Sequence, residues 1–193
     1  MAKRKIILLG AAALFLLAIL FPLWTVMLSA PTYPEGNLAV WVFSYKVEGD
    51  MDEWNRVGRL VGVKVPPPIP DAAFVIVPVA FAALAAVCVL TAFRERWLTV
   101  AVVAPWPLLA LLGAWAQYSL YVFGHDLDPD RPLKYIQPFT PPVVGIVTLH
   151  SIKTYHFPYA GSLLYGLAAG LVILAWWLRR RETVDDGTTA IGA

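Results

Sequence analysis

The residues best equipped for chemistry in this chain stand close together: His125 beside Asp126, Asp128 and Asp130, with Gln117, Tyr118 and Tyr121 just upstream. Imidazole is the commonest protein ligand for transition metals, and a neighbouring carboxylate can orient it through its second ring nitrogen. The other two histidines, His150 and His156, follow in the same polar stretch. A site built from His125 with His150 or His156, supported by Asp126 or Asp128, has the donors to hold copper or zinc in an oxidising compartment. Thioether ligands for Cu(I) are few, with Met27 and Met51 the nearest in the sequence to such a site. Two plainer readings stand beside the metal site. The histidines can be interfacial side chains hydrogen-bonded to loop backbone. Asp126-Leu-Asp-Pro129 can be an Asx-type turn that ends a helix, with Pro129 blocking its continuation.

Other chemistries find no support. The sequence holds no Ser-His-Asp motif, no HExxH, no P-loop and no Rossmann fingerprint. Closely spaced acids in a turn do not flank a scissile bond as a glycosidase pair does. Cys88 is the single cysteine, so neither a disulfide nor a CxxC or c-type haem site can form within the chain. The reading is therefore of a protein that is not an enzyme. A net charge of +2 without a basic patch gives no reason to expect nucleic acid.

The elements that must position these residues are membrane elements. With 59% hydrophobic residues in 193 and a mean hydropathy of +0.66, the composition is far from that of a soluble domain. Four apolar runs approach or exceed the ~20 residues a helix needs to cross a bilayer core: Ile6–Val26, Ala72–Phe93, Trp97–Phe123 and Ala160–Leu178. The expected fold is thus an all-α membrane protein of four transmembrane helices. Pro31, directly after a possible cleavage point at Ala30, argues for an uncleaved first helix. Cationic clusters abut three helix ends: Lys3-Arg4-Lys5, Arg94-Glu95-Arg96 and Arg179-Arg180-Arg181. With an even number of spans they share a face, which the positive-inside rule assigns to the cytoplasm. Both termini are then cytoplasmic, and the expected location is the inner membrane, multi-pass. Trp24, Tyr118 and Tyr121 mark the outer interface; Trp97, Trp176 and Trp177 mark the inner one.

Residues 27–71 and 124–159 become two long outer loops, the expected seat of function. In the first, Leu38-Ala-Val-Trp-Val-Phe-Ser-Tyr-Lys-Val47 reads as a strand, and Asp50 with Glu53 as a capping box opening a helix to about Leu60. Pro66-Pro67-Pro68 stiffens the return to the second span. In the second, Pro129, Pro132, Pro138, Pro141 and Pro142 preclude a regular helix until the stretch near Val144. Pro22, Pro78, Pro105 and Pro107 lie within the expected spans, each able to kink its helix or to be tolerated by its neighbours. No Asp, Glu, Lys, Arg or His lies deep in a span, which weakens transporter and intramembrane-haem readings. The tail from Glu182 to Ala193 is short, polar and expected to be disordered.

Ala30-Pro-Thr-Tyr-Pro-Glu-Gly36, Asn55 with Gly62, Gly124-His-Asp-Leu-Asp-Pro129 and Pro141-Pro-Val-Val-Gly145 resemble a family of small four-span membrane proteins associated with bacterial nitrous oxide reductase gene clusters. The resemblance covers Trp24 to Gly161. It implies an accessory role in denitrification: helping assembly or copper supply of a periplasmic metalloenzyme such as nitrous oxide reductase. The family pattern after Asn55 ends Asn-His-Tyr-Ile-Gly-Met, whereas this chain reads Gly58-Arg-Leu-Val-Gly-Val63. Arg59 and Val63 stand where a histidine and a methionine are expected, which leaves His125 as the metal-ligand candidate that matches the motif. The other class of function is a structural subunit of a respiratory membrane complex, its loops packing a partner without a ligand of its own.

Overall fold

The computed structural model describes residues 2–29, 38–63, 69–134, 137–149 and 152–191. Helix α1 runs Ala2–Leu20 and ends where Pro22 denies the next turn a backbone donor. The residue before a proline is biased to extended backbone, and strand β1 follows at Trp24–Ser29. The apolar run expected to be helical to Val26 therefore changes structure part-way. Strands β2 (Leu38–Val42) and β3 (Val47–Gly49) come next, then helix α2 (Met51–Val61) and helix α3 (Ala73–Phe93). A 3-10 turn at Glu95–Trp97, helix α4 (Leu98–Val103) and helix α5 (Pro105–His125) form the third apolar stretch. Strands β4 (Gly145–Leu149) and β5 (Ile152–Pro158) lead into helix α6 (Ala160–Ile191).

The all-α expectation is corrected by a five-stranded antiparallel sheet of order β3-β2-β1-β5-β4. Its central seam pairs β1, just after the first helix, with β5, just before the last: Val26 faces His156 and Leu28 faces Thr154. Both long loops thus condense into one domain. The physical cause is legible afterwards. Val26, Leu28, Val40, Val42, Val47 and Ile152 fall on one face by the two-residue period, and a run of that kind is stable only when paired and covered. In the second loop, where the prolines preclude a regular helix until near Val144, strand β4 begins at Gly145, beyond Pro141-Pro142.

Among the described residues three helices are long and apolar enough to cross a membrane: Ala73–Phe93, Glu95–His125 and Ala160–Glu182. The fourth expected span is α1. Lys3, Arg4 and Lys5 occupy its first turn, so its apolar part runs only Ile6–Leu20, short of the ~20 residues a bilayer core demands. It is nonetheless central, packed against α3 and α6 through Ala11, Ala12, Phe15 and Ala18. Small side chains let these helices approach closely. Phe15 lies edge-on to Tyr165 at 5.3 Å, and Phe81 sits against the same ring at 5.1 Å. Of the prolines expected within spans, Pro105 begins α5 after the break at Ala104 and splits the third stretch, Pro78 is tolerated inside α3, and Pro22 falls beyond the end of α1. Helix α6 is drawn out through the polar tail to Ile191.

The three cationic helix ends meet at one end of the bundle. Arg4 pairs with Glu95 at 2.9 Å and with Glu182 at 3.1 Å, and Arg179 reaches Glu95 at 3.4 Å. Arg180 lies over Trp176 and Arg181 over Trp177, at 4.3 and 3.7 Å from the ring centres. The sheet caps the opposite end, where Tyr159 and Gly161 donate backbone hydrogen bonds to Leu23 and Pro22.

Candidate functional site

His125 closes α5 in an exposed position. Its ring stacks on Tyr121 one turn earlier, with centres 4.0 Å apart, and its Nδ1 lies 2.9 Å from the Tyr121 carbonyl oxygen. A carbonyl only accepts, so Nδ1 is the donor, and in a neutral ring this places the lone pair on Nε2. That is the tautomer a metal ligand needs. The following residues form the turn that was the competing reading: the Asp130 backbone N–H donates to Asp128 Oδ1 at 2.9 Å, an Asx turn. Asp126 and Asp128 are exposed.

The turn is also a joint. The Asp128 N–H donates to the Gly62 carbonyl at 2.8 Å, Leu133 N–H to Leu60, and Phe139 N–H to Gly124. Gly62 ends α2 in the left-handed conformation, φ +87°, and a Cβ there would meet the Arg131 side chain at 2.6 Å. At Gly124 a Cβ would sit 1.9 Å from the Phe139 carbonyl oxygen. Gln117 Nε2 donates to the Pro141 carbonyl at 3.3 Å. Gly62 and Gly124 are therefore places where α2 and α5 meet the second loop backbone to backbone, and Pro141 is held by the Gln117 side chain. Ala30–Gly36 lies outside the described residues, as do His150 and the run Pro66–Pro68.

His156 is elsewhere and in a different environment. It lies on the inner face of the sheet, 4% exposed, with Nε2 3.1 Å from the Thr154 hydroxyl and, among the described residues, no hydrogen-bond partner for Nδ1. Burial in apolar surroundings pulls its pKa down to about 4, so the ring is neutral at pH 7. It does not share His125's exposed surface, and among the described residues no three His, Cys, Asp or Glu side chains converge on one point. His125, Asp126 and Asp128 are exposed and follow one another closely in the chain.

His156 also borders a feature beneath the sheet. A cavity of 330 Å³ lies between the sheet, α2, α3, α5 and α6. Val26, Val40, Val42 and Ile152 of the sheet, Trp54 and Val61 of α2, Phe81 of α3, and Leu112, Trp115 and Phe123 of α5 line it. Its lining contains no Asp, Glu, Lys or Arg among the described residues. Trp54, 6% exposed, also has no hydrogen-bond partner for its indole Nε1 among the described residues. The signals were present: Trp54, Val57, Gly58 and Val61 are the buried face of α2 at helical spacing, and Ile152, Thr154 and His156 alternate as strand residues. What hid the cavity is that its walls come from distant parts of the chain.

These features define an integral-membrane type of protein in which an apolar helical bundle is capped by a mixed sheet-and-helix domain. No family model and no curated protein matches the chain.

Proposed function

We propose that this is an inner-membrane accessory protein whose sheet domain faces the extracytoplasmic side and serves a metalloenzyme there, with nitrous oxide reductase the partner implied by the sequence resemblance. The observation that carries the reading is the condensation of both long loops into one folded domain at the end of the bundle opposite the cationic cluster. A basic end belongs at the cytoplasmic face. The domain then has the position to meet a periplasmic partner. Three long apolar helices supply the anchor in the lipid bilayer, and α1, shorter but packed among them, enters the proposal as a fourth span by reaching the cytoplasmic face with Lys3, Arg4 and Lys5, with both termini inside.

Copper enters this proposal as cargo. His125 presents an exposed imidazole with Nε2 turned from its own backbone bond, and Asp126 or Asp128 can support it. His150 and His156 remain part of the proposed ligand set only for a rearranged complex, because the His156 ring is buried under the sheet. The test is an affinity purification from native membranes in mild detergent, read for partner proteins and for copper together. The expected result is co-purification of an extracytoplasmic metalloprotein and copper binding that His125→Ala removes. Recovery of the chain alone, with copper binding indifferent to His125→Ala, overturns the reading. Co-purification with respiratory subunits and no copper would favour the purely structural role.

A further inference from the structure

The sheet has two edges, and they are built differently. Strand β3 is three residues long, with Glu48 ion-paired to Lys46 and Gly49 turned at φ +134°. A short, charged, bent edge is one that other strands do not readily join. Strand β4, at the far edge, runs Gly145-Ile-Val-Thr-Leu149 with no charge and no proline. Ile146 is 56% exposed, Val144 before it 57%, and Thr148 is exposed as well. Alternate residues of an antiparallel strand turn their N–H and C=O away from the neighbour they pair with. Strand β5 takes one set of these groups, and among the described residues no other segment pairs with the second. Ile146, Val147 and Thr148 are β-branched, so an open row of donors and acceptors lies along a strand that favours pairing.

We propose that β4 pairs antiparallel with β4 of a second copy of this chain, joining two sheets into one across a two-fold axis through Val147. Only another strand presents N–H and C=O groups at the spacing of such an edge. That the strand is the chain's own follows from charge and from geometry. With no charged side chain in β4, self-pairing sets no like charges against each other. Centred on Val147, it overlaps the strand over its full length, Gly145 opposite Leu149 of the second copy. The two-fold that relates antiparallel edge strands stands normal to the sheet, so the inner faces of both sheets look the same way. On that face lie α3, α5 and α6, which share the space beneath Val26, Val40 and Ile152. Both bundles therefore hang from one side of the joined sheet, as two proteins anchored in the same bilayer must. The membrane also holds every copy at one depth and in one orientation, which raises the effective concentration of edge against edge. A soluble partner has neither advantage, and β4 offers it no charge to recognise.

Self-pairing does not depend on the metal-linked role, and its test reads only the joint. Ile146→Cys, Val147→Cys, Thr148→Cys and, as an exposed position off the edge, Lys153→Cys are made one at a time in the full chain. Cys88 is buried and stays in place. Native membranes are treated with the thiol oxidant diamide, and disulfide-linked dimers are followed in time. An antiparallel two-fold brings only the residue on its axis next to itself. One step along the strand moves the two copies apart by about 7 Å, beyond the reach of a disulfide. The expected result is a Val147→Cys dimer that forms roughly tenfold faster than at Ile146, Thr148 or Lys153. Adding Ile146→Lys to Val147→Cys sets two cations beside the seam and near Lys153, and should lower the dimer yield roughly tenfold. No dimer at Val147 overturns the pairing, as do equal rates at all four positions, which mark random collision. So does a Val147→Cys product linked to a different protein, the sign of a foreign strand on this edge. An undiminished yield in a folded Ile146→Lys variant also counts against it. Should that variant fail to fold, the rates at the single cysteines decide alone.

Discussion

Burying an imidazole among apolar side chains makes its protonation a charge on the folded state. His156 has a pKa of about 4 in the fold against 6.5 for an ordinary histidine. Between those values the unfolded chain binds more protons, so stability is full above pH ~6.5 and falls as the pH drops toward 4. At pH 5 the loss amounts to about 2 kcal/mol. The thermal midpoint in detergent is expected to fall between pH 7 and pH 5, and His156→Phe to remove that part of the fall; an unchanged profile in the variant would place the titration elsewhere. Gly124 makes a second residue-level test because the ordinary effect has the opposite sign. In an open helix Gly→Ala stabilises by ~1 kcal/mol. Here the new Cβ would lie 1.9 Å from the Phe139 carbonyl oxygen, so Gly124→Ala is expected to destabilise by about 1–3 kcal/mol, the usual cost of overpacking. A raised midpoint would refute the close approach.

The elements show which signals in a chain survive folding and which do not. Helix α2 was legible because its apolar residues keep the 3.6-residue period, and it forms at Met51–Val61 much as Asp50 and Glu53 suggest. The capping box itself does not form. Asp50 Oδ2 accepts from the Ala39 backbone N–H at 3.0 Å, and Glu53 pairs with Arg56 instead: a sheet donor outcompeted the local one. The expected strand Leu38–Val47 is two strands, because Phe43 and Lys46 close a turn between them. Strands β4 and β5 were missed since prolines dominate the preceding stretch and neither strand has local partners beyond the other. The His125 turn was readable as both a metal candidate and a helix terminus, and the Asx geometry is there while the imidazole stays presented. At the other end, Arg4 ties α1 to the 3-10 turn and to α6. Glu95 and Glu182 are half exposed, so screening limits each pair. A double-mutant cycle between Arg4→Met and Glu95→Gln should give a coupling of under ~1 kcal/mol that shrinks with salt; a larger, salt-insensitive value would mean the pair is effectively buried. Phe15→Ala, at a fully buried contact with Tyr165, should cost about 3–5 kcal/mol.

For the molecule as a whole, the proposed orientation is open to direct measurement. Cys88 is buried, so the natural protein should be silent to a membrane-impermeant maleimide. Lys153→Cys on the sheet and Asp130→Cys beside the turn are expected to label in intact cells, and Arg180→Cys only after permeabilisation; the reverse pattern inverts the topology. The seam between β1 and β5 carries a consequence for how the chain is made. The Ser162 hydroxyl donates to the Leu23 carbonyl across 139 residues, and β1 cannot gain its β5 neighbour until that later segment has been synthesised. At 5–20 residues per second, the ribosome leaves one edge of β1 unsatisfied for roughly 7–28 s. During that interval the nascent domain is a half-sheet with an open apolar face, a target for holdases and for mispairing. Translation speed through the middle of the message thereby becomes a determinant of yield.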